Sequence, residues 1–203
     1  MHASIHATLL SGLLSLGVWL TACETEPPAD RVSALQDSLR QLRQSPRWNR
    51  EQEVDLQLSL AQSYQAAANA DSNRSAAAEK LYQAASIYAE VPGRAQQALA
   101  LYQRISEEFA RQARAADALF RIGWLQANVL RDSTEAQVAF GLFLDRYPEH
   151  NLTPNVPVEL QQLGLTPTEA REFARERLLQ PLDSLLPDSL RSNLQSDERQ
   201  AAP

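Results

Sequence analysis

Cysteine is almost absent from this chain, which has a single one, Cys23, among its 203 residues. Without a second cysteine no intramolecular disulfide can form, so the fold must depend on packing alone. Glycine is also scarce, with six residues, and Ala, Leu, Gln, Glu and Arg dominate the composition. Such a composition favours helices and gives few signals for strands.

The chain has no run of basic residues, and its net charge is -6. Because phosphate binding requires clustered positive charge, we expect no nucleic-acid partner. His150 is the one histidine after residue 22, and metal sites need several converging ligands. No nucleophile turn or phosphate-binding glycine loop occurs. We therefore expect no metal, no cofactor, no small-molecule substrate and no enzymatic activity.

The N-terminus contains an apolar run from Ala7 to Ala22 and no charged residue before Cys23. The run is shorter than the roughly 20 residues of a membrane span and suits the apolar region of a secretory signal. It ends in Leu-Thr-Ala-Cys, which resembles the lipobox of bacterial lipoproteins. The resemblance implies a signal peptide over 1–22 and a covalent lipid on Cys23. The alternative is a buried thiol in an N-terminal core helix.

Two segments of the chain repeat each other at a shift of 38 residues without a gap, 81–109 and 119–147. Apolar residues coincide at helical spacing in both halves of each segment, and turn residues separate the halves at 92–94 and 131–133. Each unit is therefore predicted to be a helix, a turn and a second helix. A match at the same shift extends back to a helix over 51–69.

This pattern resembles the tetratricopeptide repeat, in which small residues let paired helices approach and aromatic residues fill the gap to the next pair. Here the corresponding packing residues are Ala85, Ala98, Tyr102, Gly123, Ala136 and Phe140. The resemblance implies an all-α fold, a right-handed superhelical solenoid of helical hairpins with capping helices at both ends. An unrelated helical bundle is the alternative.

The predicted organisation places the repeats in the middle of the chain. Val32, Leu35, Leu39 and Leu42 form an amphipathic stripe before them,. The predicted segments are a signal peptide (1–22), a lipidated tether (23–30), an N-terminal amphipathic helix (31–49), the repeats (50–150), C-terminal capping helices (151–180) and a disordered tail (181–203).

The resemblance also implies a concave surface lined by the first helix of each unit. Its aromatic residues would be good anchors for a peptide or a partner helix, although Tyr82 and Phe120 could instead belong to the core. The residues at these positions are Glu79, Tyr82, Ser86, Glu90, Asp117, Phe120, Trp124 and Asn128, with Arg121 as a neighbouring polar contact.

The lipobox and the repeats together resemble the repeat-containing lipoproteins of the outer-membrane β-barrel assembly machinery. This resemblance implies a lipid-anchored scaffold in the cell envelope, on the outer membrane and facing the periplasm, that binds protein partners through its concave surface. A coordinator of an envelope-division or trans-envelope complex is the alternative. An accessory enzyme of cell-wall metabolism, with an essential acidic residue, is a third hypothesis.

Overall fold

The structure, a computed structural model, describes residues 28–179. The predicted signal peptide, the predicted lipidation site Cys23 and the predicted tail lie outside the described residues. Every regular element within 28–179 is helical, which confirms the all-α prediction. The elements are α1 (Pro28–Gln44), α2 (Arg50–Ala70), α3 (Arg74–Glu90), α4 (Ala95–Glu108), α5 (Arg114–Leu125) with a π-helical extension (Gln126–Leu130), α6 (Ser133–Arg146), a 3₁₀ turn (Thr153–Asn155), α7 (Val156–Gln162) and α8 (Pro167–Leu179).

The helices pack as a row of antiparallel hairpins. Each helix from α1 to α6 packs mainly against its neighbours in the chain, and α8 packs against α6. A row in which each hairpin contacts only the next is a solenoid, as the 38-residue repeat predicts. The core is continuous along the row and runs from Ala61 in α2 to Ala170 in α8.

The starts of α2, α3 and α6 follow from side-chain capping. The side chain of Asn73 accepts hydrogen bonds from the N–H groups of Ser75 and Ala76, and Asn49 and Asp132 cap α2 and α6 in the same way,. α1 begins at Pro28, three residues before the predicted start and inside the predicted tether. Proline suits the first helical turn because N–H groups there have no acceptor within the helix, so its lack of an N–H costs no hydrogen bond.

The second repeat unit differs from the first in its turn. In the first unit α3 ends at Glu90 and the chain turns through Gly93, which has φ 78°. In the second unit the π-helical extension carries the helix on to Leu130, and Arg131 turns the chain with φ 60°. α4 and α6 nevertheless begin 38 residues apart, so the longer helix compensates for the shorter turn.

All six predicted packing residues lie in the core. Ala85, Ala98, Ala136 and Phe140 have no exposed surface, and Tyr102 is 1% exposed. A Cβ atom added at Gly123 would lie 2.8 Å from the ring of Phe140. α5 and α6 can therefore cross at this separation only because residue 123 has no side chain.

The last helix, α8, occupies the position that the first helix of a further hairpin would take against α6. A Cβ added at Gly141 would overlap the carbonyl oxygen of Ala170 and lie 2.7 Å from the Cβ of Ala174. The contact is therefore backbone to backbone. Arg175 adds two hydrogen bonds to Asp145, of 2.9 and 3.0 Å, at the exposed margin. α8 thus covers α6, while α7 lies to one side of the row.

We expect Gly141→Val to lower the free energy of unfolding by about 3 kcal/mol, at the upper end of the usual cost of overpacking. At roughly 2–4 °C per kcal/mol for a chain of this size, Tm should fall by roughly 6–12 °C. Thermal unfolding followed by circular dichroism measures the change. Ala100→Val, at an exposed position of α4, is the matched control and should cost less than 1 kcal/mol. Equal melting of the two variants would contradict the tight α6–α8 contact.

Candidate functional site

A groove lies between α5 and the segment that follows α6. Its cavity volume is about 550 Å³. α3 and α5 form one wall and the floor, and the 3₁₀ turn with α7 forms the other wall. The residues that line it are Tyr82, Arg114, Asp117, Phe120, Arg121, Trp124, Leu152, Asn155, Val158 and Glu159.

The aromatic residues of the groove differ in exposure. Phe120 is 7% exposed, and its ring makes edge-on contacts with Phe140 and Phe143 at centroid distances of 5.8 and 5.7 Å. It is mainly a core side chain that forms part of the groove floor. Tyr82 and Trp124 are half-buried. These two rings, rather than Phe120, offer the aromatic surface to a ligand.

Arg114 fixes the start of α5 against α3. Its guanidinium donates to both carboxylate oxygens of Glu79, at 2.6 and 3.0 Å, and to Asp117 at 2.9 Å. Its carbon lies 4.4 Å from the centre of the Tyr82 ring, in cation–π geometry,. The hydrogen bonds from Arg114 hold the pKa of Glu79 below its usual range,. This end of the groove is therefore held by ion pairs in which one guanidinium faces two carboxylates.

Arg121 is the cation that the groove leaves available. Its side chain is exposed, and its Nε donates to the hydroxyl of Tyr82 over 3.4 Å. Within residues 28–179 no carboxylate forms an ion pair with it, in contrast to Arg114. A planar guanidinium beside aromatic rings suits a carboxylate ligand that also carries an apolar side chain.

Ser86 and Asn128, which were predicted to face a partner, are engaged within the protein. The Ser86 hydroxyl lies 3.1 Å from that of Tyr102, whose pKa is raised to about 12 chiefly by burial. Asn128 donates to the carbonyl of Trp124 at 3.1 Å and to Glu159 at 3.2 Å. Asn128 therefore joins the π-helical extension to α7 and holds the two walls together.

The structure thus brings five predicted residues to the groove lining: Tyr82, Asp117, Phe120, Arg121 and Trp124. Glu79 lies beside them through Arg114, whereas Glu90 is exposed at the far end of α3. Sequence reasoning missed Arg114, although its spacing of three residues from Asp117 is that of a helical ion pair.

Sequence reasoning also missed the whole second wall, because the segment after the repeats was expected only to cap the row. Val158, on α7, is 58% exposed and faces the cavity.

His150 holds the loop that precedes this second wall. Its Nε2 lies 3.7 Å from Asp117, its Nδ1 accepts from the Leu152 N–H at 3.3 Å, and its ring meets Phe143 edge-on at 5.6 Å. His150 therefore has a structural role in positioning the wall.

Two other kinds of site are absent from the part of the chain that the structure describes. Across 28–179, no cluster of three or more His, Cys, Asp or Glu side chains is placed to hold a metal ion. Over the same stretch, none of the helices combines the length and apolar character that crossing a membrane requires.

The family model of the tetratricopeptide repeat matches residues 117–150, from the first turn of α5 to the loop after α6. The chain therefore contains a tetratricopeptide repeat, and proteins with this repeat are typically non-enzymatic scaffolds for protein–protein interactions. The matched region includes Asp117, Phe120, Arg121 and Trp124, which line the groove. No curated protein and no solved structure matches the chain significantly.

Proposed function

We propose that this protein is a non-enzymatic scaffold, anchored to a membrane of the bacterial cell envelope by a lipid on Cys23, that holds a partner protein in its groove. The observation that carries the proposal is the groove itself. It combines the half-buried ring of Trp124, the exposed apolar Val158 and the available cation Arg121. Aromatic residues and arginine are the side chains that most often dominate protein–protein binding energy.

The groove favours a partner segment with an apolar side chain next to a carboxylate. The apolar side chain would lie between Trp124 and Val158, and the carboxylate would reach Arg121. Asp117 and Glu159 stand on opposite walls, so a strongly acidic segment would be repelled there. A single carboxylate in an apolar peptide or helix meets both conditions.

The lipid anchor is supported by the N-terminal sequence. The apolar run, the Leu-Thr-Ala-Cys ending and the proline-bearing stretch 24–29 together are typical of a lipoprotein,. We extend this proposal by the resemblance to the repeat-containing lipoproteins of the β-barrel assembly machinery. It then includes location on the outer membrane, facing the periplasm, and a role in outer-membrane protein assembly. A lipidated cysteine would hold the scaffold near the bilayer almost irreversibly, because each buried methylene contributes about 0.8 kcal/mol.

The second candidate is a coordinator of an envelope-division or trans-envelope complex. The observation that favours it is the segment FGLFLDRYP at 140–148, which resembles a segment in proteins of that group. In this structure the segment forms the end of α6 and contributes Phe143 to the core beneath Phe120. A trimer in solution would favour this candidate.

The groove can be tested by affinity purification of the protein from solubilised membranes, with mass spectrometry of the proteins that accompany it. We expect Trp124→Ala to lower recovery of a specific partner by tenfold or more, because a central aromatic anchor commonly contributes at least 2 kcal/mol. Arg121→Glu should act in the same direction by reversing the available charge. Trp48→Ala is the matched control, since Trp48 is 48% exposed and lies outside the groove.

The identity of the partner separates the two candidates. Recovery of β-barrel assembly components would favour the first candidate, and recovery of division or peptidoglycan proteins would favour the second. If both groove variants melt like the original protein and still recover every partner, the groove is not the binding site. Thermal unfolding of each variant is therefore measured in parallel, because Trp124 also packs against the core.

A further inference from the structure

His150 is the point at which the loop of the second wall meets α5. Its Nε2 lies 3.7 Å from a carboxylate oxygen of Asp117, and its Nδ1 accepts a hydrogen bond from the N–H of Leu152 at 3.3 Å. Both Asp117 and Leu152 line the groove. The ring packs edge-on against Phe143 and Tyr147, at centroid distances of 5.6 and 6.5 Å. One imidazole therefore touches both sides of the groove.

The contact with Leu152 assigns the neutral tautomer of His150. A nitrogen that accepts a hydrogen bond carries a lone pair, so the proton of the neutral ring is on Nε2, toward Asp117,. A second proton can add only at Nδ1, which would then face the N–H of Leu152 as donor to donor. Protonation therefore breaks the hydrogen bond to Leu152 and strengthens the attraction of Nε2–H to Asp117.

The charged groups near His150 have an excess of negative charge. Asp117 and Glu79 share the single guanidinium of Arg114, which leaves one carboxylate charge without a cation. The hydrogen bonds from Arg114 hold the pKa of Glu79 below its usual range, so Glu79 stays ionised in mild acid,. A protonated imidazole would supply the second cation. The remaining titratable groups around this part of the groove are Tyr147 from α6, Glu149 in the loop and Glu159 from α7.

Loss of the hydrogen bond to Leu152 would not free the wall. The backbone N–H of Thr153 still donates to the carbonyl of His150 at 3.0 Å, and the Thr153 hydroxyl donates to the carbonyl of Tyr147 at 2.9 Å. α7 also keeps its hydrogen bond to the π-helical extension. The main result of protonation for a ligand is therefore the added positive charge, and the Leu152 amide is its local reporter.

We propose that His150 makes the groove sensitive to pH. In mild acid its imidazole gives up the N–H of Leu152, pairs with Asp117 and adds one positive charge beside the lining. The groove then holds a carboxylate of its partner more tightly than at alkaline pH, a consequence that rests on the proposed function of the groove. Imidazole ordinarily takes up its proton around pH 6.5, so the range from about pH 8 to about pH 5.5 covers the change.

NMR of the full chain without a partner tests the exchange at His150. At about pH 8 we expect the ring nitrogens to show the tautomer protonated on Nε2. As the pH is lowered, the amide signal of Leu152 should shift with the same midpoint as the imidazole. His150→Asn is the matched control, because its side-chain oxygen can accept from Leu152 and takes up no proton in this range. Signals that persist in this variant belong to His2 and His6.

Three results of the NMR experiment would overturn the proposal. The first is a neutral ring protonated on Nδ1, and the second is a Leu152 amide that does not follow the imidazole. The third comes from Asp117→Asn, which should lower the midpoint of the imidazole by about half a pH unit or more, since it removes the facing carboxylate. An unchanged midpoint would show that the two side chains do not pair. The first two results come from the original protein, so they remain decisive even if a variant fails to fold.

Affinity purification from solubilised membranes at about pH 8 and about pH 5.5 tests the effect on binding. For the original protein we expect recovery of the partner to rise by about threefold or more in acid, because one added charge acts on the bound carboxylate. His150→Asn should recover equal amounts at both values. A rise that His150→Asn shows as well would assign the pH dependence to another group and overturn the proposal.

Trp124→Ala separates failure of this proposal from failure of the proposed function. If Trp124→Ala loses the partner but the original protein recovers it equally at both pH values, the regulation is wrong and the groove remains the binding site. If no partner depends on Trp124, the proposed function fails and the regulation of binding fails with it. The NMR titration decides in either case whether His150 exchanges Leu152 for Asp117.

Discussion

Gly123→Leu is expected to unfold the hairpin of α5 and α6. A Cβ at residue 123 already meets the ring of Phe140 at 2.8 Å, and leucine adds three further carbon atoms in the same direction. Phe140 has no exposed surface, so its ring has no open space into which to move,. We expect a loss of several kcal/mol, above the usual 1–3 kcal/mol for overpacking. For a chain of ordinary stability this is a large part of the total.

The measurement is chemical denaturation followed by circular dichroism. Ala100→Leu, at an exposed site of α4, is the control and should be nearly neutral. A second comparison identifies the cause: Phe140→Leu should recover part of the stability that Gly123→Ala removes, because the two residues share one space. An unchanged midpoint for Gly123→Leu would show that the 38-residue register is misplaced.

Cys23→Ala is expected to abolish incorporation of labelled palmitate. Lipidation requires the thiol, and the chain has no other cysteine to substitute for it. Without lipidation, the lipoprotein pathway would also leave the leader uncleaved, so the product would retain all 203 residues instead of 203 − 22 = 181. Metabolic labelling and intact mass of the purified protein report the two changes separately.

The control for this prediction is Ala22→Gly, which keeps a small residue before the cysteine and should be labelled normally. Membrane recovery alone is not decisive, because the uncleaved run from Ala7 to Ala22 is itself apolar. Labelling that persists in Cys23→Ala would rule out the lipoprotein hypothesis. A mass that includes residues 1–22 in the original protein would rule it out as well.

The fold was predictable from the sequence because the decisive signal is local and repeated. Helical spacing, the turn residues and the small residues at Ala85 and Gly123 recur at one shift, so each unit supports the interpretation of the other. The tight packing at Gly141 was not predictable, since its partner Ala170 belongs to α8, outside the repeat. The π-helical extension was not predictable either, because a comparison without gaps conceals a longer helix that is offset by a shorter turn.

The groove was predictable on one wall only. Tyr82, Asp117, Arg121 and Trp124 follow from positions in the repeat, whereas Val158 and its neighbours come from a segment with no repeat counterpart. Ser86 and Asn128 have the predicted positions in sequence but bond within the protein. Position in a helix sets the direction of a side chain, and only the packed structure shows which neighbour it meets.

The start and the length of α1 determine how far from a membrane the repeats of an anchored molecule could extend. α1 begins at Pro28 and has 17 residues, so it is about 26 Å long at 1.5 Å per residue. The stretch 23–27 adds at most about 18 Å. For a chain attached at Cys23, the start of α1 would be the membrane-proximal point of the described residues, and the other hairpins would follow it along the row. A partner embedded in the same bilayer would then search a thin layer rather than a volume, and this confinement raises its effective concentration at the groove.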